Sequence, residues 1–225
     1  MKRAKFIVLF AVLLSFFGCE KKVDARPFEE DVINSLFVEI VDSIYMDRRT
    51  MLPPPTPRID FKTNKQDTTG FHKKLKEYWH NQDSIKNSTA RILIGVSDLI
   101  TKISPLETEI ILKEINPSGY NYDTLKEAES FKFDLTPFKN NKKFDFQLLS
   151  KFPAVNLWDL NDTPNSLPVG AVGFSRIQFN KTKTKGILSA SASCGGGKCG
   201  RGFLILIENK SGKWKIKKII PTWLS

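Results

Sequence analysis

The last third of the chain alternates between short apolar runs and short polar turns. Four runs rich in β-branched and aromatic residues cover 172–179, 186–194, 202–208 and 213–220. The turns between them contain Lys, Thr, Asn, Ser and Gly, a composition typical of hairpin loops. The four runs therefore predict a four-stranded antiparallel meander.

Within the second run the side chains alternate strictly between two kinds. Serines occupy every other position, and the positions between them are apolar: Leu188, Ser189, Ala190, Ser191, Ala192, Ser193, Cys194. Because successive side chains of a strand point to opposite faces, this pattern predicts one core-facing and one polar face.

Apolar residues recur with helical spacing between residues 28 and 45, after Pro27 and the acidic residues Glu29, Glu30 and Asp31. Proline and acidic side chains both favour the first turn of a helix. The recurring apolar positions are Phe28, Val32, Ile33, Leu36, Phe37, Ile40, Val41, Ile44 and Tyr45. Their spacing predicts an amphipathic helix packed on the C-terminal meander, and the fold class is therefore α+β.

The middle of the chain gives weaker signals. Prolines 53, 54, 55 and 57 predict an extended loop without regular structure over 51–67. We expect a short helix over 71–85 and a buried strand over 90–96 that ends before Asp98. Two further short helices are predicted over 107–115 and 122–131.

The ending Gly212-Lys213-Trp214-Lys215-Ile216 resembles the last strand of cystatin-like and NTF-like rolls, as found in many Bacteroidota lipoproteins. The resemblance implies a helix lying across a sheet with a concave face. It implies no particular chemistry.

The first residues have the layout of a secretory leader. Lys2, Arg3 and Lys5 precede an apolar stretch over 6–17, which is too short to span a bilayer. Residues 1–18 are therefore interpreted as a signal peptide, which places the remainder outside the cytoplasm.

Gly18-Cys19, followed by Glu20-Lys21-Lys22, resembles the lipobox of bacterial lipoproteins. The resemblance implies a lipidated Cys19 at the mature N-terminus, a tether over 19–26 and a single domain over 27–225. Phe16 and Phe17 depart from the usual pattern, in which Leu and a small residue stand. The alternative is an ordinary secreted protein in which Cys19 is incidental.

The basic charge changes this picture little. The chain has a formal net charge of +11, and the positive residues are mostly lysine, with arginine at only eight positions. Lysines scattered among acidic residues argue against nucleic-acid binding, for which clustered arginine is better suited. Attraction to an anionic membrane or glycan surface stays open.

Cys194 and Cys199 flank a loop of three glycines and a lysine. If the loop joins two strands, the cysteines face each other closely enough for a disulfide, and an exported location permits one. A metal site needs three or four ligands, and the chain's two histidines, His72 and His80, are distant in sequence. A redox-active pair is the third alternative, although the spacing is not Cys-x-x-Cys.

No catalytic residue, cofactor site or metal site follows from the remaining motifs. The phosphate-loop pattern around Lys198 and the calcium-loop pattern around Asp159 each lack a required residue, since Pro164 stands at the turn position of the latter. His72 and His80 are interpreted as exposed helix residues. The four tryptophans, Trp79, Trp158, Trp214 and Trp223, are interpreted as core residues rather than a carbohydrate platform.

The sequence therefore predicts a lipid-anchored envelope protein at the outer membrane or cell surface, acting as a non-enzymatic binding or structural module. Whether it faces the periplasm or the exterior stays open. Its expected partners are the membrane, through the lipid, and an envelope protein or glycan. Two alternatives stay open: an envelope hydrolase that uses paired carboxylates, and an immunity-type lipoprotein that binds a toxin.

Overall fold

A computed structural model describes residues 26–51, 53–104, 107, 129–152, 168–194 and 199–225 of the 225-residue chain. It has a mixed α+β fold, with an N-terminal helix and a large, mostly antiparallel sheet. The predicted α+β class is confirmed. The leader, the tether before Arg26 and most of the helices predicted over 107–115 and 122–131 lie outside the described residues.

Among the described residues, three helices precede the first strand of the large sheet. Helix α1 covers Arg26–Ile44, α2 covers Arg48–Met51 and α3 covers Phe71–Lys86. Seven of the nine predicted apolar positions are buried in α1: Val32, Ile33, Leu36, Phe37, Ile40, Val41 and Ile44. The other two, Phe28 and Tyr45, are partly buried, and Tyr45 lies after the end of the helix. The helices expected at the N-terminus and over 71–85 are both present.

The proline-containing segment holds a small hairpin, so the expectation of a structureless loop is wrong for residues 58–67. Strand β1 covers Arg58–Asp60 and pairs antiparallel with β2, Lys65–Asp67. The Asp60 carboxylate accepts hydrogen bonds from the Lys62 N–H at 2.9 Å and the Thr63 hydroxyl at 2.7 Å. These bonds stabilise a turn that lies beyond the last proline of the segment, so the prolines do not interrupt it.

In the described part of the chain, eight strands form the large sheet. They are β3 (Ile92–Thr101), β4 (Phe131–Lys132), β5 (Phe144–Leu148), β6 (Gly170–Ser175), β7 (Gln178–Phe179), β8 (Lys185–Ser193), β9 (Gly200–Lys210) and β10 (Lys213–Leu224). The order is β10-β9-β8-β6-β3-β4, with β5 also beside β3 and β7 beside β8. Strands β5 and β6 run parallel to β3, and every other pair is antiparallel. Two short 3-10 turns, Thr136–Phe138 and Leu149–Lys151, flank β5.

Two predicted boundaries are corrected around β3. The strand does not stop before Asp98 but continues to Thr101, with a register shift between Val96 and Ile100. The Asp98 carboxylate is accommodated at this irregularity, where it accepts a hydrogen bond from the Ser150 N–H at 3.0 Å. Phe131 lies in β4 rather than in the helix predicted over 122–131.

The hydrophobic core lies between α1 and one face of the sheet. Phe37 is completely buried at its centre. Four rings surround it at centroid distances of 4.4–5.6 Å: Phe133, Phe138, Phe146 and Phe174. Leu188, Ala190 and Ala192 of β8 belong to the same core cluster. This face of the sheet, which we call the helix face, is where the fold buries its apolar surface.

A buried ion pair fixes the start of α1 to the sheet. Glu29 is 2% exposed, and its carboxylate accepts hydrogen bonds from Arg176 Nε at 2.8 Å and from the Ile177 N–H at 2.6 Å. Arg176 also donates to the Glu129 carbonyl at 2.6 Å. Because both carboxylate oxygens are used, the charge is compensated inside the protein.

Candidate functional site

The face of the sheet opposite α1 carries hydroxyl groups instead of apolar side chains. Ser189, Ser191 and Ser193 of β8 lie there, beside Gly173 and Ser175 of β6, which we call together the serine face. A cleft of about 560 Å³ opens on this face. Further hydroxyl groups of its lining come from Ser97, Thr101 and Ser104. The volume falls in the range of small-ligand sites.

Trp223 of β10 forms one wall of this serine cleft. The indole lies so close to β9 that a Cβ built on Gly202 would be 1.9 Å from its Nε1, and one on Gly200 would be 3.0 Å from its Cζ3. At Gly202 any side chain would overlap the ring, whereas at Gly200 the contact is tight. Trp223 is nevertheless 41% exposed, so the ring is supported by the strand and still accessible.

The hydroxyl groups of the cleft divide into two kinds. Ser175 accepts a hydrogen bond from the Ser189 N–H at 2.8 Å, and the Ser189 hydroxyl donates to Glu107. By contrast, the hydroxyls of Ser191 and Ser193 have no hydrogen-bond partner among the described residues. These two serines, half-buried on the same face, are therefore able to bond to a ligand.

One rim of the serine cleft carries charge. Glu107 accepts a hydrogen bond from the Ser104 N–H at 3.1 Å and from its hydroxyl at 2.8 Å, while its second oxygen accepts from Ser189. Lys102 also lines the cleft. Glu107 is the one carboxylate among the described residues that line the cleft, and it is held in place by two serines.

A second cleft, of about 520 Å³, lies where α1, α2 and α3 end, and its lining is basic. Arg49 pairs with Asp47 at 2.7 Å, and this hydrogen bond raises the pKa of the guanidinium. Lys143 pairs with Asp42, whose hydrogen bond raises the pKa of the ammonium. Lys86 and Lys142 also line this cleft, and neither has a carboxylate partner in the described part of the chain.

The predicted cysteine pair is confirmed at the level of distance. Cys194 and Cys199 lie at disulfide-bonding distance, with 5.5 Å between their Cα atoms. The Cys194 N–H also donates to the Cys199 carbonyl at 3.1 Å. Residues 195–198 lie outside the described part. The pair closes the β8–β9 connection at the same end of β8 as the serine cleft.

The other predicted residues are scattered. His72 and His80 are exposed on α3, as expected. Trp214 packs against the core, whereas Trp79 is 51% exposed, and Trp158 and the Asp159 motif lie outside the described residues. In the described ranges no three His, Cys, Asp or Glu side chains are grouped as metal ligands. Neither cleft is lined there by a pair of carboxylates, and the hydrolase alternative stays a prediction.

Sequence reasoning found the serines of β8 but missed Trp223 as part of a site. Trp223 reaches the cleft because the strand register pairs it with Gly202. No local sequence motif predicts that pairing. Glu107 was likewise unremarkable in sequence, since its two serine partners come from positions 104 and 189.

Cys19 lies outside the described residues, so its lipidation stays a prediction. Within the described helices, none combines the length and hydropathy needed to cross a bilayer. Comparison with protein-family models, curated proteins and solved structures finds no match.

Proposed function

We propose that this protein is a lipid-anchored binding protein of the cell envelope, and that its serine cleft holds a segment of a glycan. The observation that carries the proposal is the combination, in one cleft, of Trp223 with the hydroxyls of Ser191 and Ser193, which have no hydrogen-bond partner among the described residues. The protein acts by binding, without chemical conversion of the ligand.

The hydroxyl groups and the C–H faces of a sugar ring both match groups in this lining. Its hydroxyl groups are donors and acceptors, and so are the serine hydroxyls at 191 and 193, which are two residues apart on one strand face. Its C–H faces are apolar, and an exposed indole offers them a flat apolar surface that is already ordered. The Glu107 carboxylate supplies a strong acceptor at the rim.

The anchor in this proposal is the lipidated Cys19, and the location is the outer membrane or the cell surface. Several acyl chains on one residue give stable attachment, because one chain alone binds a membrane only marginally. The intact mass of the exported protein tests this part. We expect a chain that starts at Cys19 and carries acyl groups, and a protein retaining Met1 without lipid would contradict it.

The finer architecture in this proposal is a roll of the cystatin or NTF-like kind, with a four-stranded antiparallel meander inside the larger sheet.

The glycan is tested by titrating the purified protein with chitotetraose, cellotetraose, xylotetraose and mannotetraose. Calorimetry measures the heat of binding. We expect saturable binding of at least one oligosaccharide with Kd below about 1 mM, equivalent to about 4 kcal/mol. If none of the four binds to the folded protein, the glycan part of the proposal is wrong.

The matched control compares two exposed tryptophans. Trp223→Ala should weaken binding at least tenfold, because it removes the wall of the cleft. Trp79→Ala, on helix α3, removes an indole that is 51% exposed and does not line the serine cleft, and should leave Kd unchanged. Equal effects of the two substitutions would exclude the serine cleft as the binding site.

A further inference from the structure

Exposed lysines from two adjacent hairpin turns lie together at one end of the sheet. The β7–β8 turn and the β9–β10 turn lie side by side, since the Asn209 N–H donates to the Thr184 carbonyl at 2.8 Å. Exposed lysines of these turns and the strand ends beside them form a surface that we call the basic tip: Lys181, Lys183, Lys185, Lys210, Lys213 and Lys215.

Few acidic groups oppose this charge. Glu208 is the carboxylate of the two hairpins, and it pairs with Lys210 at 2.6 Å. The first turns of α1 contribute Glu30 and Asp31, with Arg26 beside them, while Glu29 is buried against Arg176. The basic tip therefore keeps a positive excess among the described residues.

Helix α1 begins at this same end of the molecule. Phe28 packs against Phe179 and Trp214, with ring centroids 5.1 and 6.3 Å apart. The Lys183 ammonium lies 4.9 Å from the centroid of the Phe28 ring. The chain that precedes Arg26 therefore leaves the described structure next to the basic tip.

The distance from the lipid to the basic tip is short. Cys19 and Arg26 are seven residues apart in the sequence. Even a fully extended chain covers at most about 25 Å in that number of residues. A lipid on Cys19 would hold the basic tip next to the headgroups, where several lysines together are attracted by anionic lipid.

We propose that the basic tip docks on the anionic headgroups of the membrane that holds the lipid anchor, an inference that rests on the proposed lipidation of Cys19. Docking orients the protein. The Cys194–Cys199 end of β8 and the serine cleft then point away from the membrane, since β8 extends about 26 Å from Lys185 to Ser193. The cleft is presented to ligands in the space beyond the lipid surface.

Hydrogen exchange on the exported protein, reconstituted in vesicles, tests the docking. One set of vesicles contains phosphatidylcholine alone, and the other also contains phosphatidylglycerol. We expect the backbone amides of the two turns to exchange at least tenfold more slowly on the anionic vesicles only. High salt should remove the difference, because it screens the attraction. Equal exchange on both kinds of vesicle would overturn the proposal.

Two triple variants distinguish docking through the basic tip from attraction by the overall positive charge of the protein. Lys183→Gln, Lys213→Gln and Lys215→Gln together should abolish the protection, since each lysine near the surface contributes about fivefold to docking. The control variant combines Lys62→Gln, Lys74→Gln and Lys76→Gln, which remove the same charge from exposed positions on the β1–β2 hairpin and α3. Loss of protection in the control would contradict docking through the basic tip.

The failure of the anchor and the failure of docking give different results. If the mass of the exported chain shows no lipid, co-sedimentation with the same vesicles replaces hydrogen exchange. Binding to the anionic vesicles alone would then support the basic tip without the anchor. A lipidated chain whose turns are unprotected would keep the anchor and exclude docking.

Discussion

The two faces of strand β8 lie in different environments, one in the core and one in a cleft, although their residues alternate along one segment. On the helix face, Leu188, Ala190 and Ala192 are at most 1% exposed and pack in the core under α1. On the serine face, Ser191 and Ser193 are half-buried and line a cleft of about 560 Å³. The same backbone therefore supports a close-packed layer on one side and a concave, hydroxyl-lined surface on the other.

The contrast separates stability from binding within one sheet. Apolar side chains on the helix face exclude water and each contributes to the free energy of unfolding. Small polar side chains on the serine face contribute little to it, and they leave volume that a ligand can occupy. We therefore expect substitutions on the helix face to lower stability, and substitutions on the serine face to change binding instead.

The largest effect is expected at Phe37. Phe37→Ala should lower the free energy of unfolding by about 3–5 kcal/mol, because it removes a completely buried ring from a cluster of four others. Trp223→Ala, on the other face, should cost about 1 kcal/mol. Denaturation by urea measures both. If both variants lose similar free energies of unfolding, the two faces do not differ in their contribution to stability.

Glu29→Gln should lower the free energy of unfolding by about 3 kcal/mol, because Arg176 would remain buried without its carboxylate partner. The same denaturation measurement applies. Asp31→Asn changes the same charge on the exposed side of α1 and should shift the free energy of unfolding by less than about 0.5 kcal/mol. An equally small shift for Glu29→Gln would mean that the ion pair does not fix α1 to the helix face.

The parts of this arrangement that local patterns determine were accessible from the sequence. The spacing of apolar residues predicted α1, and the Leu-Ser-Ala-Ser alternation predicted the two faces of β8, since both follow from the periodicity of a single element. The distance between Cys194 and Cys199 followed from a short hairpin loop in the same way.

The long-range pairings were not accessible, because they join residues that no local period relates. Strand β3 pairs with β5 and β6 across segments of irregular composition. Glu29 and Arg176 are 147 positions apart, and each alone looks like a surface charge. Trp223 becomes part of the serine cleft only through its register with Gly202, whose lack of a side chain makes room for the indole.

The Cys194–Cys199 bridge follows the last residue of β8, with Cys194 in the core cluster of the helix face, and its loss should have a moderate effect. Replacing both cysteines with alanine should lower the free energy of unfolding by about 2 kcal/mol, since the loop that the bridge closes is short. Urea denaturation of this variant, beside the parent protein with and without reductant, measures it. A reductant should affect the parent and leave the double variant unchanged.

The smallest effects give the sharpest comparison, because they exchange the same two side chains between adjacent positions. Ala190→Ser places a hydroxyl on the helix face, where the residue is 1% exposed, and should cost about 1–2 kcal/mol if the hydroxyl stays without a partner. Ser191→Ala removes a hydroxyl from the serine face that no described residue binds, and should change the free energy of unfolding by less than about 0.5 kcal/mol. In the oligosaccharide titration the order reverses, since Ser191→Ala should weaken binding and Ala190→Ser should leave it intact. If instead Ser191→Ala destabilises the fold by more than Ala190→Ser does, the serine face is part of the packed interior, and its cleft is not a binding surface.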